Sequence, residues 1–191
     1  MMKLKLNAVE ASAECKETIM NWLQYQTCAL TTAIYPKEYA LPYTALGLVD
    51  ELYELYDAIG SDDEFGELSD CCWYVACFSH ECRIPIMDTA TLANELEDQF
   101  TFYDVFDAVQ QARGAASRIC GKVKKAIRDD HLRLKSDKKA KIQVELALII
   151  LSIYYICEKL GTTFAQVAEY NINKLASRQK RGKLMGSGND R

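Results

Sequence analysis

Proline is scarce in these 191 residues: Pro36, Pro42 and Pro85 are the only three, and none follows from Ile86 to Arg191. The second half therefore carries no breaker of that kind, and with only nine glycines the composition leans all-helical. No apolar run approaches the ~20 residues that a membrane span needs. The most apolar stretch, LALIILSIYYIC from Leu146 to Cys157, is bounded by Glu145 and Glu158 and reads as a core helix. Lys3 and Lys5 have no apolar run behind them, so no signal peptide is expected. Alternating apolar and polar residues are nowhere sustained over several segments, which excludes a sheet. The eight cysteines form no CxxC pair and mostly lie in apolar runs, so they are expected to be buried, reduced thiols of a cytoplasmic protein. A net charge of −4 excludes a chain-wide polycation, and 49% hydrophobic residues exclude disorder. Basic residues are also missing from one local stretch: between Asp50 and Asp70 there are nine acids and no Lys or Arg.

What is present is helical periodicity. Ile19, Trp22, Leu23 and Ala29 recur along a first helix expected from Ala11 to Thr32. TALGLVDELYELYDAI places Leu48, Leu52, Leu55 and Ile59 on one stripe of a second, ended by Gly60. ELSDCCWYVACFSHE reads as a third, largely buried helix, closed by Pro85. A short helix is expected over Asp88–Gln99, a long one over Asp104–Asp130, then a polar linker LKSDKKAK and a sixth helix from Ile142 to Leu160. The seventh runs from Phe164 to about Gln179, opened by Thr163 with Gln166 at capping-box spacing. The expected fold is one all-α domain over residues 1–191, an antiparallel helical bundle, with possible lobes at 1–100 and 101–191.

Glu51 and Glu54 are neighbours on one face of the second helix, and Glu67 and Asp70 repeat that spacing on the third. A short turn between the helices brings the two pairs together. Asp70 precedes CCWYVACF on a buried helix, where an unpaired carboxylate costs several kcal/mol, so a cation is expected there. Oxygen ligands without His or Cys select Mg²⁺ or Mn²⁺, and a di-iron bundle would need ExxH pairs that His80 and His131 cannot supply. Asp57, Asp62, Asp63 and Glu64 read as a solvated face and turn. At the other end Asn171, Lys174, Arg178 and Arg181 fall three or four apart on one face, followed by Lys180, Lys183 and the glycines at 186 and 188, a set suited to phosphate.

The strings TAIYP, ALGLVDELYELYDAI, ELSDCCWYVA and VAEYNINKLASRQKRGKLMGSGNDR resemble the MazG-like, all-α nucleoside triphosphate pyrophosphohydrolases, particularly the small phage-type members. The family motif, EExxE, a spacer and ExxD, is met by DELYE, twelve residues and ELSD, with Asp50 in place of the first Glu. The resemblance implies hydrolysis of an NTP or dNTP to the monophosphate and pyrophosphate. It implies Mg²⁺ held by Glu51, Glu54, Glu67 and Asp70, with Glu51 or Glu54 also handling the attacking water. The NxxK element falls on Asn171 and Lys174 and implies phosphate contacts, with Arg178 and Arg181 beyond. Tyr74 matches a position that implies stacking on the base; Trp73, Trp22, Asn21 and Gln24 are further base-reading candidates. The expected partners are the nucleoside triphosphate and further copies of the chain, with no membrane and no nucleic acid, in a host cytoplasm if the chain is phage-encoded.

The resemblance covers the two ends of the chain. The roughly 80 residues between, over 84–160, read either as an unrelated insertion or as a decayed copy of the same helix pair. In the second case Ala115 and Arg118 stand where Glu51 and Glu54 stand, Glu145 is retained, and Leu148 replaces Asp70. Rival classes are a catalytically silent nucleotide-binding protein and a nucleic-acid-binding protein using the basic tail.

Overall fold

The sparse breakers punctuate the chain in the computed structural model, which describes residues 20–184. Among them every regular element is helical: α1 Trp22–Ala29, α2 Ala40–Ala58, α3 Glu64–Cys82, α4 Ile86–Glu95, α5 Val105–Asp130, α6 Ser136–Lys159 and α7 Phe164–Lys180, with short 3₁₀ turns at Leu30–Thr32, Lys37–Tyr39 and Glu97–Gln99. Pro42 lies in the first turn of α2, where its missing N–H has no helical partner to lose. Thr163 and Gln166 form the expected capping box of α7.

Two boundaries differ from expectation. The stretch read as a linker, LKSDKKAK, supplies the first turns of α6. Lys and Ala are good helix formers, and a polar segment without Gly or Pro has no reason to stop being helical. Asp130, at the end of α5, holds Lys135 at 2.7 Å and also pairs with Lys138, which ties the hairpin. The helical part of the first helix begins at Trp22, and residues 11–19 of the expected span lie outside the described residues. The cysteine expectation also needs correcting. Cys71, Cys72, Cys77, Cys82, Cys120 and Cys157 are free, but Cys28 is disulfide-bonded. An apolar neighbourhood suits a half-cystine as well as a thiol.

Four long helices make the bundle: α2 packs on α3 and α5, and α6 packs on α5 and α3. Pairs along the bundle are antiparallel, since Tyr56 near the end of α2 meets Phe106 at the start of α5 at 5.5 Å, while Cys120 donates to the Ala45 carbonyl at 3.3 Å. The α2–α3 and α5–α6 turns therefore sit at opposite ends. Helix α6 is long and apolar enough to cross a membrane by length and composition. Its apolar side chains Ile142, Leu146, Ile149, Ile150, Ile153 and Ile156 are instead buried within the bundle.

The shorter helices cross over: α4, which follows α3, packs on α6, and α7, which follows α6, packs on α3. The two junctions share one geometry at a constant offset of 78 residues. Arg83 (φ 53°) and Gly161 (φ 64°) both adopt the left-handed conformation that ends a helix. Arg83 N–H donates to the His80 carbonyl and Ile84 N–H to that of Ser79; Gly161 donates to Glu158 and Thr162 to Cys157.

Candidate active site

Helices α2 and α3 run antiparallel from the Gly60 turn, and their acids face one another as the spacing requires. One carboxylate oxygen from each of Glu51, Glu54 and Glu67 lies within 4.8 Å of the others. Glu67 is buried, Glu51 half-buried and Glu54 exposed. Burial pushes the Glu51 carboxyl up to about 8, helped by the charges of Asp70, Glu54 and Glu67 and opposed by Lys174. Glu54 is raised too, by desolvation first, then by the charges of Glu67, Asp50 and Asp70 and a hydrogen bond with Glu67. Carboxylates that oppose one another's ionisation are a ready seat for a divalent cation, and an all-oxygen donor set fits Mg²⁺ or Mn²⁺. Glu64, read from sequence as solvated, is buried and accepts from the Gly60 N–H at 2.8 Å, so it braces the turn.

Asp70 has a different partner from the one its sequence context implied. Lys174 of α7 places Nζ 2.6 Å from Oδ2, and Asn171 donates through Nδ2 to Oδ1 at 3.0 Å. The lack of basic residues near Asp70 in sequence was no guide, because α7 folds back onto α3. Asp70 thus stands beside the three-glutamate cluster, joined to a lysine, and the cluster itself is Glu51, Glu54 and Glu67. Lys174 also reaches the Gly66 carbonyl at 3.4 Å. Asn171 is fully buried: its Oδ1 accepts from the Tyr25 hydroxyl at 2.8 Å, and its Nδ2 also donates to Ser69 Oγ at 3.3 Å. Of the remaining bases, Arg178 is buried, whereas Arg181 is exposed and turns Nε back to the Ser177 carbonyl. Residues 186–191, with the glycines expected to close over phosphate, lie outside the described residues.

The base-reading candidates separate sharply. Asn21 and Gln24 form the capping box of α1, Asn21 Oδ1 accepting from the N–H groups of Leu23 and Gln24, and Gln24 Oε1 accepting from that of Asn21. Trp22 is buried, stacks on Phe164 at 4.1 Å and donates to the Tyr154 hydroxyl at 2.9 Å, which makes it core. Trp73 is pinned by Nε1 to Thr32 Oγ1 at 3.0 Å and to the Ala29 carbonyl. Tyr74 is half-exposed, as Trp73 is, but its hydroxyl feels the charges of Glu51 and Asp70. Its ring lies so close over α2 that a Cβ at Gly47 would come within 2.0 Å of it. Tyr43 and Tyr35 extend this aromatic row, and Tyr35 donates to Glu81 at 2.9 Å.

In the second half Glu145 pairs with Arg118 at 2.8 Å and Lys122 at 3.1 Å, while Ala115 and Leu148 are buried. Side-chain cations sit on the one acid kept there. Sequence reasoning missed Tyr25, Ser69 and Gly47. Nothing marks Tyr25 in the sequence, because its role depends on a partner 146 residues away; Gly47, a glycine inside an apolar helical stripe, was a usable signal of close approach.

No family model matches the chain, and no solved structure matches it. The Gene 37 protein of Mycobacterium phage L5 is 33% identical over 78 residues, which make up 41% of this chain and 68% of that protein. With two thirds of that phage protein covered at this identity, the chain belongs to the family of the Mycobacterium phage L5 Gene 37 protein.

Proposed function

We propose that the chain is a MazG-like nucleoside triphosphate pyrophosphohydrolase that cleaves an NTP or dNTP to the monophosphate and pyrophosphate. The observation that carries this reading is the convergence of Glu51, Glu54 and Glu67 within 4.8 Å, closed on one side by the Asn171–Asp70–Lys174 contacts from α7. Glu51, Glu54 and Glu67, with Asp70 beside them, would hold Mg²⁺, which when bound screens the triphosphate charge and makes a water more acidic. A Glu51 carboxylate oxygen orients the attacking water and takes its proton. The water oxygen bonds to the α-phosphorus as the bond to the α–β bridging oxygen breaks, and pyrophosphate leaves with that electron pair. The Lys174 ammonium, held at the cluster's edge, neutralises charge on the polyphosphate. Arg178, being buried, supports the position of α7 in this scheme and does not grip phosphate. Tyr74 offers its ring face to the base.

The crossed packing of α4 on α6 and α7 on α3 supports a decayed duplication, in which the first half supplies the acids and the second supplies the phosphate helix. One site per chain is then expected, completed without a second copy. Action in a host cytoplasm is part of the proposal, given the phage source of the relative. The test is chromatography of products after mixing the protein with each common NTP and dNTP, with and without Mg²⁺, beside Glu54→Gln. Metal-dependent monophosphate and pyrophosphate, lost in a folded variant, is the expected result. No turnover of any nucleotide by folded protein overturns the reading in favour of silent nucleotide binding.

A further inference from the structure

We propose that Tyr25 is a positioning residue of this site, its hydroxyl setting the orientation of the Asn171 amide and, through it, of Asp70 and the neighbouring carboxylates. The inference rests on the reading of the acid cluster as the metal and polyphosphate site. A side-chain amide is nearly symmetric in shape, so the groups around it decide which end carries the donor. Here the Tyr25 hydroxyl donates to Oδ1 at 2.8 Å, which directs Nδ2 to Asp70 Oδ1 at 3.0 Å and to Ser69 Oγ at 3.3 Å. In the flipped orientation Oδ1 would oppose the Asp70 carboxylate, acceptor against acceptor, and Nδ2 would oppose the phenol proton. Burial pushes the Tyr25 phenol well above its ordinary range, so it stays a donor.

The tyrosine is itself immobilised. Its ring meets Trp22 edge-on at 6.1 Å and Phe164 at 5.7 Å, and Trp22 is tied to Tyr154 of α6. Tyr25 and Asn171 both have 0% of their surface exposed, so no water competes for the link. The Tyr25 hydroxyl is spent on Asn171 and acts on the acids through it. Helix α1, which supplies no metal ligand or phosphate contact, thereby joins the site's supporting structure.

The experiment uses the full chain and two readouts. In metal-free protein, NMR follows hydrogen exchange of the Asn171 side-chain amide; in parallel, Mn²⁺ affinity is measured by electron paramagnetic resonance. Tyr25→Phe keeps the ring and removes the hydroxyl. It is expected to lose the slow exchange of the Asn171 amide and to weaken Mn²⁺ binding by about 10-fold, the usual effect of losing an outer-shell partner. Asn171→Leu fills the same space without an amide and is expected to weaken Mn²⁺ binding at least as much, with the double variant no weaker than Asn171→Leu alone. Ile142→Ala, at the other end of the bundle, controls for lost stability and should leave Mn²⁺ affinity unchanged. Unchanged Mn²⁺ binding in Tyr25→Phe overturns the proposal, whatever happens to the amide. If Tyr25→Phe does not fold, unchanged binding in Asn171→Leu overturns it equally. Failure of the wild-type protein to bind Mn²⁺ at all overturns the metal reading, and the Tyr25 role falls with it.

Discussion

In the absence of divalent cations this protein should lose stability as the pH rises, and Glu51 is the reason. Its carboxyl is pushed from 4.5 up to about 8 in the folded chain, by burial first and by the charges of Asp70, Glu54 and Glu67 next. Between those values the folded protein keeps a proton that the unfolded chain has released. Stability contributed by that proton is complete below about pH 4.5, falls by about 1.4 kcal/mol per pH unit, and is gone above about pH 8. The whole window is worth roughly 5 kcal/mol. For a domain of this size that corresponds to a drop of roughly 10–20 °C in Tm. Glu54 is raised in the same direction, so the Glu51 and Glu54 carboxyls are harder to ionise together.

The assay is calorimetry in EDTA from pH 5 to pH 8, repeated in Mg²⁺, for the wild-type protein and Glu51→Gln. In EDTA the wild-type Tm should fall with pH and that of Glu51→Gln should fall much less, so that at pH 8 the variant is the more stable of the two. Mg²⁺ should restore the wild-type protein at pH 8 and do little at pH 5, because the ion competes with the proton for the same carboxylates. Equal slopes for the two proteins in EDTA would refute the argument, since they would mean that Glu51 carries no special burden in the folded state.

Other perturbations follow from the same geometry. Glu54→Gln should abolish turnover while the circular dichroism spectrum and Tm persist; retained activity would remove Glu54 from the site. Gly47→Ala should cost about 1–3 kcal/mol in denaturant unfolding, because the added methyl meets the Tyr74 ring. In a Tyr74→Ala background the same change should be neutral or stabilising, as helix propensity alone then counts; a cost in both backgrounds would show that the ring is not the obstacle. Glu145→Gln breaks the pairs with Arg118 and Lys122 and should lower stability by about 1 kcal/mol, with Mg²⁺ affinity and turnover unchanged. A fall in metal affinity there would place a working ion in the second half. Thr163→Ala removes the cap of α7 and should cost about 1 kcal/mol by thermal unfolding.

The helices were legible because their signals are local. Asp104, Thr163 and the Gly60 turn each act within a few residues, and the capping box at Thr163 and Gln166 is formed as its spacing predicts. The two acid pairs were legible for the same reason: three-residue spacing fixes a shared face, and one turn fixes how two helices meet. What stayed hidden was every relation that runs between the halves of the chain. Asp70 was read as a carboxylate awaiting a metal because no base lies near it in sequence, yet its lysine is 104 residues away. Trp22, Asn21 and Gln24 looked available to a ligand until α7 and α6 closed over α1 and the cap consumed both polar side chains. The run LKSDKKAK looked like a linker because polarity was allowed to outweigh the absence of any breaker.

The long-range relations have one physical origin, the crossing of α4 onto α6 and of α7 onto α3. It places a second-half helix on the first-half acids, and the corresponding place in the second half is closed by Arg118 and Lys122 on Glu145. An ion pair within the chain satisfies a lone carboxylate at no cost in ordering a ligand, whereas three glutamates converge within 4.8 Å and Glu51 among them is pushed up to about 8 against the opposing charge of Lys174. The two ends of one bundle thus differ in how closely their carboxylates are crowded together. That imbalance, more than the count of acids, is why the first half is where a divalent cation and the polyanion it accompanies should bind.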